Sequence, residues 1–466
     1  MEGNKVDMFS LLPESLLCVI ISFLPFKEAA RTCILSKRWL RIWERTRNME
    51  FNELFFVKLG ESNEAKEAQK RVFLSFITHF IAHYKDKFVD KFSLKVSDPQ
   101  SCGDTIELCA AFATQHGVKE LRLDFSNPTW DENENLEMYD TLFQLPKHVY
   151  RHESLEALKL YSCGFAMLDL CNFKALKDVS LGWIEVDAYA LKTLLYTCKK
   201  IENLSLKKCN LKHFDMGDQE LGLRKLVIDK CLFLGDDFII FKAPNLVFLK
   251  YYGVVGFYEI DVRPYVMQEA DIDFAQLMPI YEECGDDICH LLQYLSSVRV
   301  LTLCSFTLQA IPSGEEPVRI QCDMNVRHLI LKTQMHHFEL CGFMFLLNSC
   351  AWLEKLTIEI GQGKIFRDYR RPYPISFTRF WKQCFVTPEC LRNTLKVVEV
   401  KGFRGTMNEV QVCNYLIQGG SVLEEFNINV VKNEDDSSQI LERRYANANV
   451  LLTVPKASNN LQISIA

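Results

Sequence analysis

The sequence predicts a mixed α+β or α/β repeat fold, with a short helical head leading into an irregular leucine-rich solenoid. Three observations carry this. From Val89 onward an apolar L-x-x-L-x-L spacing recurs along most of the chain, as expected of short strands that bury their apolar side only by stacking on their neighbours. Ahead of it, residues 7–43 hold three stretches with helix start and stop signals. The length of 466 residues, 48% hydrophobic, suits two or three folded domains or one elongated array.

The head reads DMFSLLPESLLCVIISFLPFKEAARTCILSKRWLRIW. Pro13 suits the first position of a helix, its φ already helical and its missing N–H not needed there, and Glu14 favours the positive helix end. That helix should run to about Phe23. Its unbroken apolar row from Leu16 to Ile21 predicts a cylinder buried on most sides. Pro25 stops it, a second short helix follows from Lys27 to Cys33, and Ser36 is a good N-cap for a third carrying Trp39 and Trp43 one turn apart. A unit of ~40 residues is near the lower limit for building its own core, so apolar surface left on the first and third helices needs cover from the rest of the chain or from a partner.

The run Leu12-Pro13, Leu16-Leu17, Ile20, Ser22, Leu24-Pro25, Lys27, Ala29, Arg31-Thr32, Leu35-Ser36-Lys37-Arg38-Trp39 and Trp43 resembles the F-box of plant F-box/LRR/FBD proteins. The resemblance implies docking onto a Skp-type adaptor, and through it onto the cullin and RING subunits of an SCF-type ubiquitin ligase. By the same resemblance Leu12, Pro13, Leu16, Ile20, Leu24, Pro25, Leu35, Ser36, Lys37 and Trp39 form or shape the adaptor-facing surface.

After the head, Gly60 to Arg71 is polar and reads as an exposed link into a helix whose Phe73, Phe76, Ile77, Phe80 and Ile81 share one apolar face. The repeats then begin. Clear copies include Val89/Phe92/Leu94, Val118/Leu121/Leu123, Leu155/Leu158/Leu160 and Leu176/Val179/Leu181 early in the chain, and Leu353/Leu356/Ile358, Leu395/Val398/Val400 and Leu423/Phe426/Ile428 late in it. Met267/Ala270/Ile272 is a weak copy, inside the least repeat-like stretch from about Gly253 to Leu295. Cys163, Cys209 and Cys231 stand three residues past the last apolar position of their copies, which gives them a packing role in the turn. Residues alternating with the leucines face the concave side, and of these Arg122, Lys159, Tyr161, Phe248 and Tyr252 are the candidate target-binding residues. That face mixes charges with aromatic and aliphatic groups and offers no evident basic cluster. Two further segments are similar to the same plant family: Leu145 to Phe165, like its early repeat signature, and Thr387 to Ile428, like its FBD segment. The expected boundaries are 1–50 for the F-box, 51–380 for the solenoid and 384–466 for the FBD region.

Other chemistry finds little support. His79 and His83 lie one turn apart but lack the HExxH glutamate and a third ligand. Cys284, Cys289 and His290 match no standard zinc spacing and read as an acidic loop before a helix. Gly361-Gln362-Gly363-Lys364 lacks the Ser/Thr and the glycine spacing of a phosphate loop. Neither a metal nor another cofactor is expected, and no catalytic nucleophile stands out. Arg38, Arg41 and Arg45 share a helix face that suits an acidic protein as well as a polyanion, and a net charge of -6 speaks against general nucleic-acid binding. Eighteen cysteines diluted over the chain without a secretion signal point to reduced thiols and an intracellular, non-membrane protein, cytoplasmic, nuclear or both. The reading is a non-catalytic substrate receptor of a ubiquitin ligase, the alternatives being a small-molecule-sensing F-box receptor or an adaptor-independent scaffold.

Overall fold

The computed structural model describes residues 8–127, 142–165, 173–233, 235, 238–274, 284–312, 319–320, 322–367, 369, 387–433 and 436–466. The chain forms two compact units, Met1–Leu211 and Lys212–Ala466. The division falls inside the stretch 51–380 that the sequence reads as a single solenoid.

The first unit begins with α1 (Glu14–Ser22), α2 (Phe26–Arg31) and α3 (Lys37–Trp43). Pro13 is the N-cap of α1, with φ −58° and ψ 150°, one position before its expected place inside the helix. Pro25 caps α2 in the same extended conformation, and the Ser36 hydroxyl caps α3 by accepting from the Trp39 amide at 3.4 Å. The expectation that α1 is buried on most sides fails. Leu17 and Ile21 are buried, whereas Leu16 and Val19 stay about half exposed. Next comes α4 (Asn63–His83), capped by Ser62. It takes in most of the residues expected to form a polar link, because an N-cap and a run of good helix formers need no apolar face to start.

Parallel strands follow the head: Asn48–Asn52, Lys91–Lys95, Glu120–Asp124, Ala157–Tyr161, Asp178–Gly182 and Asn203–Lys207, each paired in register with the next. The register aligns Phe92, Leu121, Leu158, Val179 and Leu204, every one of them at most 1% exposed. This is the physical content of the repeat, since each strand supplies one wall of its neighbour's apolar site. Behind the strands lie α4 and the helices Gly103–Gln115 and Ala188–Thr197. The residue after a strand repeatedly takes a left-handed backbone, with φ 55° at Ser162, 51° at Trp183, 51° at Lys208 and 55° at Lys230. The following residues Cys163, Cys209 and Cys231 are buried, in the packing role read from their spacing.

The second unit continues the pattern through Lys225–Asp229, Phe248–Tyr252, Glu269–Asp273, Val300–Leu303, His328–Thr333, Lys355–Ile360, Val397–Phe403, Glu425–Val430 and Gln462–Ile465, again parallel and neighbour to neighbour. The weak copy is a true one, because Ala270 and Ile272 are buried between Leu249/Tyr251 and Leu301/Leu303. A second parallel sheet, Phe214–Glu220 with Phe238–Lys242 and Phe257–Asp261, was not expected from the sequence. Cys284 begins the helix Cys284–Tyr294, so Asp286 and Asp287 occupy its first turn instead of a loop before it and complement the helix dipole. The acidic-polar stretch Asn433 to Gln439 reads from its composition as a loop; residues 434–435 lie outside the described residues, and Ser438 and Gln439 already belong to the helix Ser438–Val450.

In the FBD-like stretch, strand pairing shifts register between Lys401 and Phe403. Gly402 sits there at φ +75°, where a Cβ would lie 2.4 Å from the Ile360 carbonyl oxygen. Glu409, buried, then accepts from the amides of Arg404 at 2.7 Å and Gly405 at 2.8 Å and completes the capping box of helix Met407–Gly419. Gly402→Ala is therefore expected to destabilise the chain by about 1–3 kcal/mol. A urea midpoint equal to that of the unsubstituted protein contradicts the bulge.

Candidate functional site

The head presents two unlike faces. Its core is Leu17, Ile21, Ala29 and Ile42, with Leu12, Cys18, Ile20, Trp39 and Trp43 packed against it. On the inner side, Phe26 and Trp43 approach within 5.8 Å and both reach Phe80 of α4, at 5.9 and 5.0 Å. Phe26 also meets Phe51 of the first strand at 5.4 Å. On the outer side, apolar side chains stand in solvent: Leu16 at 49% exposure, Val19 at 51%, Phe23 at 81%, Ile34 at 88% and Leu35 at 65%. Large apolar side chains this exposed, concentrated in one short segment, are the pattern expected of a surface that a partner covers.

The adaptor-facing residues read from the sequence divide accordingly. Pro13, Leu16, Leu24, Pro25, Leu35, Ser36 and Lys37 are exposed, whereas Leu12, Ile20 and Trp39 are half-buried against the head core. The sequence reading passed over Val19, Phe23 and Ile34. The i, i+3, i+7 spacing of Leu16, Val19 and Phe23 was the available signal, masked by the unbroken apolar run around it. The cations of the head are largely engaged within the first unit. The Arg38 guanidinium donates to the Leu12 carbonyl oxygen, Arg45 lies 3.9 Å from Glu14 and Arg47 3.6 Å from Asp86.

The other candidate residues lie on strand faces. In the first unit Arg122 and Lys159 are register partners on adjacent strands, and the Arg122 guanidinium stands over the Tyr161 ring at 5.2 Å. Glu120 accepts from Lys159 at 2.8 Å and pairs with Lys91 at 3.3 Å. Burial alone would raise the Glu120 carboxyl, but the two ammonium groups hold it below the usual carboxylate range. In the second unit Phe248 and Tyr252 share one strand, with Lys225 over the first ring and Lys230 over the second, each at 5.0 Å. Burial raises the Tyr252 phenol, and Asp273 and Asp229 add to the shift. Lys207, over Trp183 at 5.3 Å, is a further cation on the first unit's face; the strand alternation places it there, although it is not among the candidate target-binding residues.

Residues 9–50 match the F-box domain family, and residues 87–465 match the At1g61320/AtMIF1 LRR domain family, most of the chain. The chain belongs to the plant F-box/LRR family. Relatives agree: the Arabidopsis thaliana F-box protein At3g62230 is 32% identical over 91% of this chain and 92% of its own length. The F-box/LRR-repeat protein At5g54820 of the same plant is 30% identical over 100% of this chain and 99% of its own. The FBD-associated F-box protein At1g66310, also from Arabidopsis, is 26% identical over 99% and 96%.

The F-box match covers the three helices and reaches into the first strand, and the LRR match runs through the FBD-like stretch into the last strand. The FBD-like segment of this F-box/LRR protein thus repeats the architecture that precedes it. Among the described residues no group of three or more His, Cys, Asp or Glu side chains is placed to hold a metal ion, and no helix is long and apolar enough to cross a membrane. Burial pushes the Cys102 and Cys304 thiols up to about 11 and the Cys390 thiol up to about 12. Such thiols stay protonated at neutral pH and serve as packing groups.

Proposed function

We propose that this protein is the target-binding subunit of an SCF-type cullin-RING ubiquitin ligase. Its head docks a Skp-type adaptor while strand faces of the repeats hold a target protein. The observation that carries this reading is the division of the head, with Phe26 and Trp43 packed inward on Phe80 and an apolar surface from Leu16 to Leu35 left in solvent. A head serving only to cap the repeats needs the first face and gains nothing from the second. The protein itself is non-catalytic. It acts by proximity, making ubiquitin transfer to a bound target effectively intramolecular, in the cytoplasm, the nucleus or both.

The test is co-expression with a plant Skp-type adaptor followed by size exclusion. A stable complex at micromolar concentration is the expected outcome. A folded protein that never co-elutes with the adaptor favours the scaffold reading, in which Phe26 and Trp43 make the head a cap and nothing more.

A further inference from the structure

Strand register in the first unit builds a row that no single repeat contains. Ser93, Arg122, Lys159, Ser180 and Ser205 are successive register partners, about 4.8 Å apart from strand to strand. The row holds two cations and three hydroxyls, and its first carboxylate is Glu50, beyond Ser93 on the first strand. The carboxylates beside it are outnumbered. Glu120 is shared by Lys91 and Lys159 at 3.3 and 2.8 Å, and Asp124 by Lys95 and Arg122 at 3.6 and 2.9 Å. Asp178 is engaged by the Asn203 amide. Lys207 closes this end of the face over Trp183, and among the described residues no carboxylate lies within salt-bridge distance of it. In the second unit Lys332 has Asp271 at 3.0 Å, Lys355 has Glu399 at 3.4 Å and Lys401 has Glu359 at 3.3 Å, so these three lysines are matched one to one, while Lys225 and Lys230 stand over aromatic rings where the strand pair brings no second cation into one row with serine hydroxyls.

We propose that the Arg122–Lys159–Ser180–Ser205 row, bordered by Tyr161, Trp183 and Lys207, binds a phosphorylated segment of the target protein. Surplus cations on a chain of net charge -6 favour an anion by complementarity. A phosphomonoester suits the row better than a carboxylate for two reasons. It carries close to two charges and three acceptor oxygens, enough to compete with Glu120 and Asp124 for their shared cations. Its oxygens can also accept from a guanidinium, an ammonium and neighbouring serine hydroxyls together. The aromatic border gives apolar residues flanking the phosphate a surface to pack on. This inference rests on the target-receptor reading above.

The test immobilises the full chain and applies a fluorescein-labelled degenerate nonapeptide pool with a fixed central phosphoserine, beside matched pools with serine or aspartate at that position. Retention of the phosphoserine pool is expected to exceed that of the serine pool by at least ~5-fold and to fall steeply with salt. Lys207→Gln, which breaks no ion pair, should lower it by about threefold, and Arg122→Gln/Lys159→Gln should bring it to the serine level. Equal retention of the phosphoserine and serine pools, equal retention of the phosphoserine and aspartate pools, or indifference to both variants overturns the proposal. Adaptor co-elution of the same variants separates the two readings. If it persists while phosphopeptide retention is absent, only the phosphate site is lost, whereas loss of co-elution in the unsubstituted chain removes the ligase role itself.

Discussion

The paired substitution Leu16→Glu/Leu35→Glu is expected to abolish co-elution with a Skp-type adaptor while leaving thermal unfolding almost unchanged. Both side chains stand largely in solvent, at 49% and 65% exposure, and neither belongs to the head core. Free protein therefore loses little. In a complex each leucine contributes about 1.5–3 kcal/mol of apolar burial, and a glutamate in its place must also be desolvated. The combined loss is at least ~4 kcal/mol, roughly a thousandfold in affinity. Leu12→Ala is a poorer probe, because Leu12 packs against the core of the head and its removal mixes lost binding with lost folding. Co-elution of the doubly substituted chain at the level of the original sinks the assignment of this surface. A large drop in melting temperature places the two leucines among the groups that hold the fold.

Phe51→Ala is expected to destabilise the protein by about 3–5 kcal/mol, the cost of emptying a fully buried aromatic site. Phe51 is 1% exposed, and its ring meets Phe26 of the head at 5.4 Å, Phe80 and Phe92 at 5.6 Å and Phe76 at 6.1 Å. One residue thus joins the head, α4 and the first two strands. Urea unfolding followed by circular dichroism should show an earlier midpoint, with head and first unit lost in one transition. A loss below ~1 kcal/mol, or a separate early transition of the head alone, shows instead a head that is only loosely attached.

Much of this architecture was legible beforehand because the repeat is written locally. Leu121 and Leu123, or Leu356 and Ile358, face inward wherever their strand is placed, since side chains alternate along any strand. The head was legible for a similar reason, its prolines and Ser36 marking helix boundaries within a few residues of each one. The terminal strands Asn48–Asn52 and Gln462–Ile465 escaped because neither shows the full three-position spacing. The extra sheet of Phe214–Glu220, Phe238–Lys242 and Phe257–Asp261 escaped because its pairing joins segments whose own sequences carry no common repeat.

The sequence by itself determined that the first 50 residues hold an F-box head and that the apolar ladder of the repeats is buried, both properties of neighbours along the chain. Only the tertiary structure decided which side of the head stays open, because that depends on Phe26 and Trp43 meeting Phe80, a residue outside the head. It alone also placed Arg122 and Lys159 in one row with Ser180 and Ser205. Those residues belong to different repeats, and the hydrogen-bond register between strands, absent from any one repeat, makes them neighbours.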